Sequence, residues 1–174
     1  YNPMTRAEFE RIYNFLLQKR GGLNPFFVSL PQYRIPQNST FAVFAASNNL
    51  EATSSVNAGA TQVLLGKSGY SNSVNKTPSP GDLFTISGTN SNHLKAYMVT
   101  RVENSSDYLT GTSQPSSSQV RIHFSPGLSK AIGTADDFIF HNPLIKVILS
   151  SDVQEYSLNT DGLYAYSLNL EEVQ

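Results

Sequence analysis

The sequence predicts a mainly β protein: a β-sandwich or barrel with one flanking N-terminal helix, carrying an inserted small β-barrel domain. Three observations lead there. One amphipathic helix stands near the start. Short apolar runs of strand length recur through the rest. Between about residues 58 and 132 the pattern changes, with brief strands broken by Ser/Asn/Gly/Pro tracts.

The helix spans residues 5–20. Thr5 and Glu8 have capping-box spacing, and Met4 and Phe9 fit a hydrophobic staple. Phe9, Ile12, Tyr13, Leu16 and Leu17 recur at helical spacing as one apolar stripe. Lys19 and Arg20 suit the negative end of the helix dipole, and Gly21-Gly22 stops the helix. A single helix with one apolar face needs a sheet to cover.

The strands follow. Phe26 to Leu30, closed by Pro31, and Phe41 to Ala46 read as strands, with a polar connection over 48–57. Gln62–Leu65, Leu83–Ile86, Ala96–Val102 and Val120–Phe124 are four short strands that close most simply into a small barrel, with Phe84, Tyr97 and Phe124 in its core. From Asp137 the apolar runs typical of the first segment return in DFIFH, LIKVILSSD and LYAYSLNLEEV, giving strands over Leu144–Leu149 and Leu163–Leu170. The simplest organisation is discontinuous: 1–57 with 133–174 as one sandwich, and 58–132 as the insert.

Composition bounds the function. The chain has 174 residues, a net charge of −1 and only 14% charged side chains, so no global basic field recruits nucleic acid or anionic membrane. With no cysteine, disulfides and thiolate metal sites are excluded. No apolar run reaches membrane-span length, and no secretory signal is visible. The chain opens on Tyr1 rather than Met, as expected of part of a longer gene product. Three glycosylation sequons, at Asn38, Asn75 and Asn104, are what chance supplies in so Asn- and Ser-rich a chain.

No local motif nominates catalysis or a cofactor. GATQVLLGKS has six residues between its glycines where a phosphate loop needs four, and it reads as a strand ending in a Gly turn. His93, His123 and His141 lie on separate segments without metal-ligand spacing; His123 shares one side of an alternating strand with Arg121, as on a polar face. Asp136-Asp137 and Glu171-Glu172 are adjacent pairs that point to opposite faces of a strand. No Gly-x-Ser-x-Gly elbow occurs.

Charge is distributed unevenly. Residues 1–34 carry Arg6, Arg11, Lys19, Arg20 and Arg34 against Glu8 and Glu10, whereas Val147 onward carries Asp152, Glu155, Asp161, Glu171 and Glu172 with no Lys or Arg. Two readings stand: a match within one chain, or a head-to-tail contact between copies. On the second, Arg6, Arg11, Lys19, Arg20, Asp152, Glu155, Glu171 and Glu172 are the subunit-interface candidates.

Four stretches, taken in order, carry a resemblance: NPMTRAEFERIYNFLLQKRGGLNPFFVSLPQY, GATQVLLGKSG, PGDLFTISGTNSNHLKAYMVTRV and SSDVQEYSLNTDGLYAYSLNLEEV. Together they resemble bacteriophage tail-tip or baseplate proteins of the tail-tube-like superfamily, of the distal tail or baseplate hub type. The resemblance implies a homo-oligomeric ring around the channel through which the genome leaves, six-fold in preference to three-fold. It also implies docking to other tail and baseplate proteins, a place in the virion after assembly in the bacterial cytoplasm, and no enzyme activity. It implies no cofactor, no metal, no sequence-specific nucleic-acid binding and no membrane insertion. Sheet edges that would be a liability in a monomer are then satisfied by the next copy. Two rival readings are a non-enzymatic β module that grips glycan or peptide, and a hydrolase with a dispersed site.

Overall fold

A computed structural model describes residues 4–88, 93, 95–104, 106, 111–134, 136–151 and 156–173. The protein is mainly β. In chain order the elements are α1 (Arg6–Lys19), a 3-10 turn (Gly21–Leu23), β1 (Phe26–Val28), a second 3-10 turn (Pro31–Tyr33), α2 (Ser39–Ala45), β2 (Leu50–Ala52), β3 (Gln62–Gly66) and β4 (Leu83–Ser87). There follow β5 (Ala96–Glu103), β6 (Gln119–Ser125), β7 (Asp137–Ile139), β8 (Ile145–Leu149), β9 (Tyr156–Leu158), β10 (Tyr164–Tyr166) and β11 (Leu170–Glu172). The chain divides into two compact units, Tyr1–Val28 with Lys146–Val173 and Ser29–Ile145.

The central unit is a closed barrel of six antiparallel strands in the order β2-β3-β6-β5-β4-β7. Its wall alternates: Val120, Ile122 and Phe124 of β6 point into the core, while Arg121 and His123 point outward. Phe84 anchors the interior, its ring 5.5 Å from Tyr97, 5.5 Å from Phe124, 5.4 Å from Phe138 and 5.2 Å from Phe140. The four strands expected between 58 and 132 are all present, but they do not close alone. Closure takes β2 from the segment expected to be a polar connection and β7 from the DFIFH run. Leu50 pairs with Phe138, and Glu51 with Asp137 on one side and Gly66 on the other. Without β2 and β7 the edges of β3 and β4 would be bare, so the unit is larger than the expected 58–132 insert. The segments that lead into and out of this unit are fastened to each other: Ser29 Oγ donates to Asn142 Oδ1 at 2.7 Å, and Asn142 N donates to the Arg34 carbonyl at 2.7 Å.

One element corrects the sequence reading. Phe41 to Ala46 is not a strand but most of α2. Asn38 caps it, its side-chain oxygen accepting from Thr40 N at 3.1 Å and Phe41 N at 3.2 Å. A strand would place Phe41 and Val43 on one face; in fact Phe41 is 1% exposed and Val43 77%. The buried Phe41, Ala42 and Ala45 follow helical spacing instead.

The unit built from the two ends of the chain holds α1, a three-stranded sheet in the order β1-β8-β11, and the β9–β10 hairpin. The expected strand Phe26–Leu30 is shorter, ending at Val28. The expected Leu163–Leu170 strand is two: β10 pairs with β9, and β11 crosses to pair with β8, Leu170 opposite Leu149.

Candidate assembly surface

Helix α1 begins as its sequence dictates. Thr5 N and Thr5 Oγ1 both donate to the Glu8 carboxylate, at 2.9 and 2.8 Å. The backbone bond first, then the hydroxyl, holds the Glu8 carboxyl below its ordinary pKa. Phe9 and Leu16 are the buried residues of the helix. Phe9 stacks on Tyr164 with centroids 4.6 Å apart and meets Tyr13, Tyr156 and Tyr166 within 5.9 Å, so one phenylalanine gathers four tyrosines. Met4 pairs by its backbone with Tyr164 along the β10 side of the hairpin.

What this unit leaves open matters more than what it closes. Strands β1 and β11 are the outer members of their sheet, and β9 is an outer strand of the hairpin; among the described residues none has a strand on its other side. Among the described residues, seven of the unit's large apolar side chains are exposed, Phe15, Leu17, Leu23, Phe27, Tyr156, Leu158 and Leu170, against five that are buried. Among the described residues of the barrel unit the balance is reversed, with four large apolar residues exposed over a full core.

Six of the eight interface candidates lie among the described residues, on α1, at its C-terminal end and on β11. Arg6 pairs with Glu10 along the helix at 2.6 Å, and that hydrogen bond raises the Arg6 pKa. Lys19 lies 4.8 Å from the ring centre of Phe15 and 5.9 Å from that of Phe26, so its cation is spent on aromatic faces. Arg11 and Arg20 are both exposed. Arg20 is the left-handed residue that ends α1, with φ 53°. Glu171 and Glu172 lie on β11, opposite Ile148 and Val147. Asp152 and Glu155 lie outside the described residues. Among the described residues no ion pair joins the basic helix to β11.

Sequence reasoning missed two polar clusters on the barrel unit. Glu103 at the end of β5 is fully buried, taking Arg121 Nη1 at 3.1 Å and His123 Nε2 at 2.7 Å, with Arg101 Nε at 3.8 Å. Arg121 Nη2 also donates to the Ser113 carbonyl at 2.7 Å, tying the segment between β5 and β6 to the wall. Arg121 and His123 were expected on a polar face; they are on one, and they converge there on a carboxylate. The second cluster surrounds Tyr97 OH, which accepts from Ser129 N at 3.1 Å and lies 3.0 Å from Ser129 Oγ and 3.1 Å from His93 Nδ1. Burial holds the His93 pKa below the ordinary imidazole value, the Ala131 backbone and the Asp136 carboxylate pulling weakly the other way.

Among the described residues, the clefts beside Gln37 and Asp82, beside Lys67 and Gln119, and beside Tyr156 and Tyr166 are lined by no member of either cluster. Among the same residues no three His, Asp or Glu side chains converge as metal ligands, and no helix is long and apolar enough to cross a membrane. The barrel's described aromatic residues between 58 and 132, Tyr70, Phe84, Tyr97 and Phe124, are all buried; burial pushes the Tyr70 phenol up. No family model matches the chain, and no curated protein does.

Proposed function

We propose that this chain is a structural protein of a phage tail tip or baseplate, assembling with copies of itself into a ring around the tail channel and docking other tail proteins. The observation that carries the assembly half is the unit formed by the chain ends, which among its described residues exposes more large apolar side chains than it buries and has outer strands with no strand beyond them. Such edges are templates for pairing, and a free-standing protein would blunt them with charge, proline or a covering helix. The phage half rests on the resemblance carried by the four quoted stretches. The reading assigns the protein no catalysis and no cofactor, favours six copies over three, and gives the barrel the role of an outward-facing module.

A glycan-gripping barrel would need aromatic side chains on an open face. Those described between 58 and 132 are buried, which favours architecture over sugar recognition.

Negative-stain microscopy and light scattering of the purified 174-residue chain test this. Closed rings or a defined high-mass species are expected at micromolar concentration. A freely soluble single copy at every concentration would overturn the proposal.

A further inference from the structure

We infer that two copies of this chain join through the free edge of β9, strand against strand and antiparallel, about a two-fold axis at Ser157. This goes beyond the ring reading, because a two-fold contact closes as a pair whatever assembly its members belong to.

Hydrogen-bond phase fixes what the edge offers. In the β9–β10 hairpin Tyr156 stands opposite Tyr166, Ser157 opposite Ala165 and Leu158 opposite Tyr164. Next to them, Asn159 N donates to the Leu163 carbonyl at 3.0 Å. Antiparallel pairs alternate between bonded and non-bonded, so Ser157 turns its main-chain groups inward to β10, while Tyr156 and Leu158 turn theirs outward. Tyr164 shows the same phase from the other strand. Its N donates to the Met4 carbonyl and its carbonyl accepts from Met4 N, both at 2.9 Å, away from β9. Met4 thus covers the β10 edge. On the β9 edge two N–H and two C=O groups face out and meet no strand among the described residues.

The side chains suit the same contact. Tyr156 packs on Phe9 of α1 with centroids 5.1 Å apart, and Leu158 shares that face by the two-residue period. Both stay largely exposed, Tyr156 by 53% and Leu158 by 58%, and Ser157 on the other face is exposed too. A second β9 laid antiparallel, with the two Ser157 residues opposed, sets each Tyr156 against the other copy's Leu158. All four outward groups of each edge then pair one to one, and the Ser157 pair is the non-bonded one between them. On the α1 side a tyrosine ring meets a leucine at each end. Edges that must stay apart usually carry charge; residues 156–160 are Tyr, Ser, Leu, Asn and Thr, so two copies bring no like charges together. The same three residues supply both halves of the contact, which makes a second copy the occupant rather than a foreign strand.

So short a contact is best read by trapping, in a chain with no cysteine of its own. Opposed residues of a non-bonded antiparallel pair have Cα atoms about 4.5 Å apart, within disulfide range. Ser157→Cys, concentrated and mildly oxidised, should give disulfide-linked pairs; Thr160→Cys, three residues from the axis, should stay single. Adding Leu158→Pro, which removes an outward N–H, should abolish the linked pair. Should that variant fail to fold by circular dichroism, Leu158→Lys carries the step. Equal linkage at 157 and 160 would overturn the contact, as would linkage that survives the change at Leu158. Linkage of Ser157→Cys to Phe27→Cys in a mixture, but not to itself, would make β1 of a neighbour the occupant and overturn the two-fold pair. High-mass assemblies of the unaltered chain with Ser157→Cys unlinked would remove this contact and leave the ring reading intact. Linked pairs with no larger species would keep this contact and remove the ring.

Discussion

Glu103 shows why a buried carboxylate can escape the eye in a sequence. Along β5 a strict two-residue period would send Arg101 and Glu103 into the barrel beside Tyr97 and Val99. An irregularity between Val99 and Arg101 resets the phase, so Arg101 pairs with His123 and Glu103 with Arg121, and all four side chains emerge on the outside. Nothing in the residue types signals that reset, and the partners are 18 and 20 residues away. Removing the charge strands Arg121 in a nearly dry site. Glu103→Gln should therefore cost about 3–5 kcal/mol in urea unfolding of the barrel. His93 gives a second expectation. Its folded pKa lies below the unfolded one, so the unfolded chain binds the proton more readily. Stability should hold above the ordinary imidazole value, near pH 6.5, and fall as the pH drops below it. Midpoints measured between about pH 7.5 and 5, a window spanning that value, should converge on the acid side in wild type and His93→Gln; parallel curves would contradict the assignment.

Helix α2 is the element that pattern reading got wrong, and its cost structure follows from which side is buried. Six apolar residues in a row fit either a buried strand or a short helix, and only the Asn38 cap and the three alanines in 41–46 favour the helix. Phe41→Ala should destabilise the barrel unit by about 3–5 kcal/mol, whereas Val43→Lys should stay within about 0.5 kcal/mol, as for an open surface position. Equal effects would restore the strand. By contrast α1 was legible almost to the residue, because a cap, a stripe and a glycine stop coincide. Its Glu8 carboxyl, held below the ordinary value, supports the helix start above the carboxylate range and releases it as the pH falls through the lowered pKa. Amide protection in the first turn should fade there in wild type and show no such step in Glu8→Gln.

The chain ends, Tyr1–Val28 and Lys146–Val173, form one compact unit; the extent of the barrel was hard to read, because β2 and β7 are three-residue strands and β2 lies in a stretch that reads as a polar connection. The charge asymmetry was equally plain, yet charge alone could not say which cations were occupied. Lys19 on two aromatic rings and Arg6 on Glu10 are facts of packing, invisible to composition. The exposed apolar side chains outside the barrel are expected to govern behaviour in solution. Replacing Leu23, Phe27 and Leu158 together with serine should shift sedimentation toward a single copy, with the unfolding midpoint of the barrel unit unchanged.

The bonds from Ser29 and Arg34 to Asn142 bring the outgoing and returning chain to one point. A lineage could therefore lift the whole middle portion out, or graft a different one in, by recombining at a single spot. Such a protein is a socket with an exchangeable fitting.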